Sequence, residues 1–232
     1  MKITILTLFP EMFAGPFSES ILKRAQEKGL LEIRLVDIRD FGEGKHKVVD
    51  DRAYGGGVGM VMKVNILDAA ITSVKDAKLD KDEQKVVFLD PRGEVFTQKK
   101  AQHFSHLQHL ILLCGHYEGI DERARSLIDE TISIGDFVLT GGEIPAMLIT
   151  DAVSRLISGV LKDEATERES FQKIETGQQF LEHPQYTTPR EYKGMGVPEV
   201  LVSGDHKKIE EWKKTESEKI TQQHRPDLLE NK

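Results

Sequence analysis

The sequence predicts an α/β domain built on a largely parallel sheet, followed by a small, mainly helical C-terminal domain. Three observations carry this: apolar runs alternate with amphipathic stretches over the first 160 residues, a strand–helix–strand unit opens the chain, and the composition turns polar and aliphatic-poor near residue 160. The shifts divide the chain into a domain at 1–160, a mobile linker at 161–179 and a tail domain at 180–232.

Lys2 to Phe9 is an apolar run stopped by Pro10, and Ile21, Leu22 and Ala25 recur at helical spacing between a capping Ser18 and a terminating Gly29. Leu31 to Ile38 then alternates as a strand, and parallel pairing with the first strand is the default. Arg39 to Lys63 loses periodicity, and a loop this long is more often functional than idle. Asn65 opens a helix through Val74, with Asp68 in the reciprocal capping position. Lys85 to Leu89 reads as a strand, Asp90-Pro91-Arg92-Gly93 as a turn, Thr97 to His106 as a helix and Leu110 to Cys114 as a strand. A helix near Asp121 to Ile128 and another from Ala146 to Ser158 complete the domain. In the tail, Asp205 caps a helix carrying Ile209, Trp212 and Ile220.

The 232 residues carry a net charge of -7, which argues against nucleic-acid binding by bulk charge and leaves room for a local basic face. With Cys114 alone, no disulfide framework forms within one chain, and a reducing cytoplasm is the expected setting. No apolar run approaches the roughly 18 residues of a membrane helix, and the first residues do not read as a signal peptide. His103, His106 and His109 recur every third residue without a second cluster, so they read as solvated surface histidines and no metal is assigned.

Chemistry concentrates in three loops that follow the later strands: 89–93, 114–119 and 134–145. In an open α/β sheet, loops at the carboxyl ends of strands line the ligand crevice. Gly55-Gly56-Gly57-Val58-Gly59 lacks the spacing of a dinucleotide fingerprint, and no phosphate-loop Gly-Lys-Ser/Thr occurs. An ordinary NAD-type enzyme is thereby disfavoured.

Four segments in order, Asp50-Asp51-Arg52-Ala53-Tyr54 to Met60, Leu112 to Arg123, Ser133 to Glu143 and Arg225-Pro226-Asp227-Leu228-Leu229, resemble the bacterial tRNA (guanine-N1)-methyltransferases, and the resemblance runs from Met1 through Leu229. It implies methyl transfer from S-adenosylmethionine to N1 of the guanosine immediately 3′ of the tRNA anticodon. It also implies a deep trefoil knot, where connection rules alone would give an ordinary doubly wound sheet. A homodimer with the active site shared between protomers, and magnesium during transfer, are further implications; the sequence shows no ligand cluster for the metal.

By the same resemblance the donor is held by Leu89, Pro91, Gly115, Tyr117, Ile134, Gly135, Phe137, Leu139, Gly141, Gly142 and Pro145, while Glu118 falls near the donor's cationic end or the guanine edge, or is a structural loop carboxylate. Asp50, Arg52 and Gly59 match substrate-side positions, and Lys207 and Lys208 of the tail helix can meet the anticodon stem. Neutral guanine carries a proton on N1, so a general base is needed, and charge moving onto O6 calls for a guanidinium. Arg155 matches the family's arginine; read alone it is an exposed helix cation. The family's aspartate base in Asp-Ser-Phe is here Glu169-Ser170-Phe171, with Glu164 and Glu167 as neighbouring acids. Thr188 stands where the family carries arginine, and the segment between Phe171 and Phe180 is longer and more polar than the family linker. These departures leave open an RNA-binding module without catalysis; a second reading, another RNA target, arises because knotted methyltransferases share donor loops, and the early glycine loop and tail motif argue against it.

Overall fold

The computed structural model describes residues 1–162, 169–173 and 178–230. The chain divides into two compact units, Met1–Leu161 and Lys162–Lys232.

In the first unit the elements run β1 (Lys2–Thr7), α1 (Ser20–Glu27), β2 (Glu32–Asp37), β3 (Asp50–Arg52), β4 (Met60–Met62), α2 (Val64–Val74), β5 (Gln84–Val95), α3 (Gln98–Ser105), β6 (His109–Cys114), β7 (Glu130–Ser133) and α4 (Glu143–Ser154). Five strands form one sheet in the order β2-β1-β6-β5-β7, every neighbouring pair parallel. All six residues of β6 are buried, as a central parallel strand covered on both faces requires. Side chains alternate between two cores. Ile3, Ile5, Val87, Leu110 and Leu112 meet Phe104 of α3 and Ile149 of α4 on one face; Leu6, Val86, Phe88, Ile111 and Leu113 meet Leu67 and Ile71 of α2 on the other. Each such side chain contributes about 1.5–3 kcal/mol when withdrawn from water.

Several local expectations change. Ser18 does not cap α1; its hydroxyl donates to Ala14 O at 2.8 Å and closes the preceding turn. Asn65 and Asp68 form no capping box, because Asn65 Nδ2 donates to Glu43 Oε1 at 2.6 Å and α2 starts a residue earlier. The turn expected at Asp90–Gly93 lies within β5, which shifts register on β7 so that Ile132 pairs with both Leu89 and Glu94. The stretch near Asp121 forms a 3-10 helix, Glu122–Leu127, capped by Asp121. His109 is not a surface histidine: it is 2% exposed, with Nε2 2.8 Å from Thr4 Oγ1 and Nδ1 2.8 Å from Gln84 Oε1. Gln84 Oε1 also accepts the Asp76 N–H, so His109 Nδ1 donates and Nε2 accepts, which makes the imidazole neutral.

The second unit holds α5 (His206–His224), capped by Asp205 through the Lys208 N–H at 3.3 Å, and two short hairpins, Gln172–Lys173 with Gln179–Phe180 and Glu191–Tyr192 with Met195–Gly196. Trp212 sits between His183 and Tyr186, each ring centroid 6.2 Å away. Among the described residues of this unit, Thr221 is the buried one. No helix among the described residues is long and apolar enough to cross a membrane.

Candidate functional site

The β6-paired part of β5, which ends at Leu89, and the loops that leave β6 and β7 gather at one edge around a cavity of about 250 Å³. Leu89, Pro91, Gly115, Tyr117, Glu118, Ile134, Gly135, Phe137, Leu139, Gly141, Gly142 and Pro145 all line it. So do Phe88, Asp90, His116, Val138 and Thr140, which sequence reasoning passed over although each adjoins a residue it singled out.

Backbone packing sets the shape. The Gly142 N–H donates to Gly115 O at 2.9 Å, and a Cβ at Gly142 would stand 2.7 Å from the Cys114 Cα, so the loop after β7 reaches the end of β6 only because no side chain intervenes. Ser133 shapes the same loop: its hydroxyl donates to Gly135 O at 3.1 Å and accepts the Gly135 N–H at 3.2 Å. Tyr117 holds a φ of +57°, a conformation costing about 1–3 kcal/mol that persists where surroundings enforce it. Its ring meets His116 edge-on at 4.8 Å, and its hydroxyl accepts from Arg39 Nη2 at 3.5 Å.

Behind the loop, Glu143 is 3% exposed at the start of α4, and its Oε1 accepts from Thr7 Oγ1 at 2.8 Å. The sequence marked Glu143 only as a first-turn acid; its partner lies 136 positions away. Burial, reinforced by the Glu143 charge, pushes the Cys114 thiol well above its usual range and leaves it a packing group.

The early glycine loop reaches this site through one neighbour. The Glu118 N–H donates to Met60 O at 3.0 Å, and Met62 N–H to Gly119 O at 3.0 Å, which docks β4 on the loop after β6. Gly59, at φ +92°, lies against Glu118; a Cβ there would stand 2.4 Å from Glu118 Cγ. Asp50 and Arg52 pair with Met62 and Met60 on the adjoining strand.

Other expected residues stand elsewhere. Arg155 follows the last turn of α4, whose cavity end is Gly142; twelve residues of helix separate the two by about 18 Å. Glu169 belongs to the second unit, while Glu164 and Glu167 lie outside the described residues. Lys207 and Lys208 are exposed in the first turn of α5. Among the described residues, no group of three His, Cys, Asp or Glu side chains is placed to hold a metal ion.

A family model described as tRNA (Guanine-1)-methyltransferase TrmD matches residues 1–231. The chain is 53% identical over 231 residues to the tRNA (guanine-N(1)-)-methyltransferase of Dictyoglomus turgidum, covering 99% of this chain and 90% of that protein. It is 54% identical over 231 residues to the protein of the same name in Carboxydothermus hydrogenoformans, covering 99% and 87%, and 52% identical over 234 residues to that of Bacillus cereus, covering 100% and 93%.

Proposed function

The chain belongs to the tRNA (guanine-1)-methyltransferase family, and we propose from that premise that it transfers a methyl group from S-adenosylmethionine to N1 of the guanosine immediately 3′ of a tRNA anticodon. The single observation that carries the reading is the cavity: the Leu89–Pro91 stretch of β5 and the glycine-bearing loops after β6 and β7 enclose it, with twelve residues matched to donor contacts all on its walls. S-adenosylmethionine supplies an activated methyl group on a sulfonium. The chain supplies enclosure by Leu89, Ile134, Phe137, Leu139 and Pro145, backbone contacts from Gly115, Gly141 and Gly142, and a carboxylate, Glu118, for the donor's cationic end.

Glu169 takes the N1 proton, and Arg155 stabilises the charge that then builds on O6. Glu has nearly the intrinsic proton affinity of the family's Asp, so the extra methylene alters position more than basicity. Arg155 stands a full helix length from the cavity of its own unit, which supports a homodimer whose active sites are shared. Ile144, Leu148, Asp151 and Arg155 fall at i, i+4, i+7 and i+11 along one face of α4, and Ile144 and Leu148 are 51% and 45% exposed. Two copies of this face packed antiparallel bring each Arg155 toward the cavity end of its partner's helix.

The second unit presents Lys207 and Lys208 to the anticodon stem. A trefoil knot through the loops after β6 and β7, which meet where the Gly142 N–H bonds Gly115 O, is part of the same proposal. Among the described residues, no group of three His, Cys, Asp or Glu side chains would hold magnesium. A cytoplasmic setting suits the tRNA substrate. The test is methylation of an unmodified tRNA transcript beside one with adenosine in place of the target guanosine: label is expected in the first alone, and equal labelling of both overturns the site.

A further inference from the structure

Four charged side chains not yet given a role form a closed ring beside the cavity. Asp90 accepts from Arg92 Nε and Nη2 at 3.0 and 3.1 Å; Arg125 Nη2 lies 3.5 Å from Asp90 Oδ2; Arg125 Nε lies 2.9 Å from Glu122 Oε1; and Arg92 Nη1, 3.8 Å from Glu122 Oε2, closes the circuit. The members are unequal. The side chains of Arg92 and Glu122 are 61% and 72% exposed, so their mutual contact contributes little. Asp90 and Arg125 are 9% and 25% exposed. Burial would raise the Asp90 carboxyl, but the hydrogen bonds from Arg92 outweigh it and hold the group below the usual carboxylate range.

Arg125 does more than complete the ring. Its guanidinium lies over the Phe88 ring, 5.7 Å from the centroid, and its Nη1 donates to Thr131 Oγ1 at 3.3 Å. Phe88 and Asp90 both line the cavity, and Thr131 belongs to β7. A Cβ on Gly115 would meet Phe88 Cε2 at 3.0 Å, so Phe88 has little room to move toward the loop after β6. A planar, always-charged fork can stack on an aromatic face and bond in its own plane at once, which an ammonium cannot do.

We propose that Arg125 is a positioning residue for the donor: it holds Phe88 and Asp90 from outside the cavity and ties them to Thr131 of β7. The inference rests on the reading of this cavity as the S-adenosylmethionine site. Arg125→Met keeps the apolar stem and removes the fork, Arg125→Lys keeps the charge without the fork, and Glu122→Gln removes an exposed ring member while leaving Arg125 on Phe88. Equilibrium dialysis with labelled S-adenosylmethionine and steady-state methylation of tRNA read the outcome. Arg125→Met is expected to weaken donor binding and raise the donor KM about tenfold, with kcat at saturating donor and the tRNA KM within about twofold of wild type. Arg125→Lys should fall between the two, and Glu122→Gln should bind like wild type. Unchanged donor affinity in Arg125→Met, or a loss of kcat and tRNA affinity that parallels a fall in Tm, overturns the positioning role. Failure of the wild type to bind the donor overturns the cavity reading instead.

Discussion

At the scale of single residues, two acid–base groups illustrate different sources of behaviour. Glu169 is proposed from resemblance and chemistry together: the Glu-Ser-Phe triplet stands where the family has its base, and guanine N1 must lose a proton. Glu169→Gln removes the base without removing hydrogen-bonding capacity. Single-turnover methylation should fall about 10²–10⁴-fold while donor affinity by calorimetry stays near wild type, and wild-type turnover would end the assignment. His109 is governed by burial. Desolvation, with Lys2 adding repulsion, lowers its pKa from 6.5 to about 4. The folded imidazole thus refuses a proton that the unfolded one accepts. Stability is complete above about pH 6.5, declines as pH falls below that value and levels off below about 4, a loss of about 3 kcal/mol from this group. Denaturant unfolding of the wild type and His109→Gln across that window should show a flatter profile in the variant. His109 pairs with Lys2 and Gln84 at the amino ends of β1 and β5, the edge opposite the cavity, so donor affinity should not follow this titration.

Among elements, the junction of β6, the loop after β7 and α4 has the least tolerance. Gly142 touches the Cys114 backbone, its N–H bonds Gly115 O, and Thr7 fixes Glu143 one residue later. A single methyl in Gly142→Ala must push the loop from β6 or β6 from the sheet, at about 1–3 kcal/mol. A lower Tm together with weakened donor binding is expected, and a variant with wild-type values in both would show that the junction yields. Helix α5 behaves in the opposite way. Its pairs Lys213–Glu210, Lys219–Glu216 and Lys208–Asp205 are exposed and three apart, and each adds only tenths of a kcal/mol. Such a surface leaves charge available for a partner, whereas the junction has none to spare.

Whole-molecule organisation turns on whether Arg155 serves its own cavity or that of a second copy. Co-expression of a cavity-defective chain with an Arg155→Ala chain separates the cases. If Arg155 acts across the dimer, a mixed dimer regains one working site, and random assortment restores about a quarter of wild-type activity. No recovery in mixed dimers verified by differential tags would place Arg155 in its own protomer's site.

How much of this was written in the sequence depends on how far apart the partners lie. The twelve positions matched to donor contacts fall in three short stretches that the parallel sheet gathers at one edge, so local pattern and spatial cluster coincide. Strand and helix spacing likewise announced β1, β2 and β6. Periodicity did not reveal that β5 continues through Asp90–Gly93, since a Pro-Gly tetrapeptide carries the local signature of a turn while its register is set by β7, some forty residues later. Ser18, Asn65 and Asp68 failed as caps for a related reason: short polar side chains take whichever backbone or side-chain partner lies nearest in space.

By itself the sequence determined the α/β class, the loops after β6 and β7 and, through its resemblance, the residues proposed for a proton-removing methyl transfer. Tertiary structure alone decided that His109 is buried and neutral beside Thr4, that Glu143 is anchored by Thr7, that Arg125 backs Phe88, and that Arg155 ends a helix length from the cavity. Local propensity acts over a few residues and is legible as pattern, but burial and hydrogen bonding act between groups 105 or 136 positions apart and take effect only once the sheet has brought those groups together.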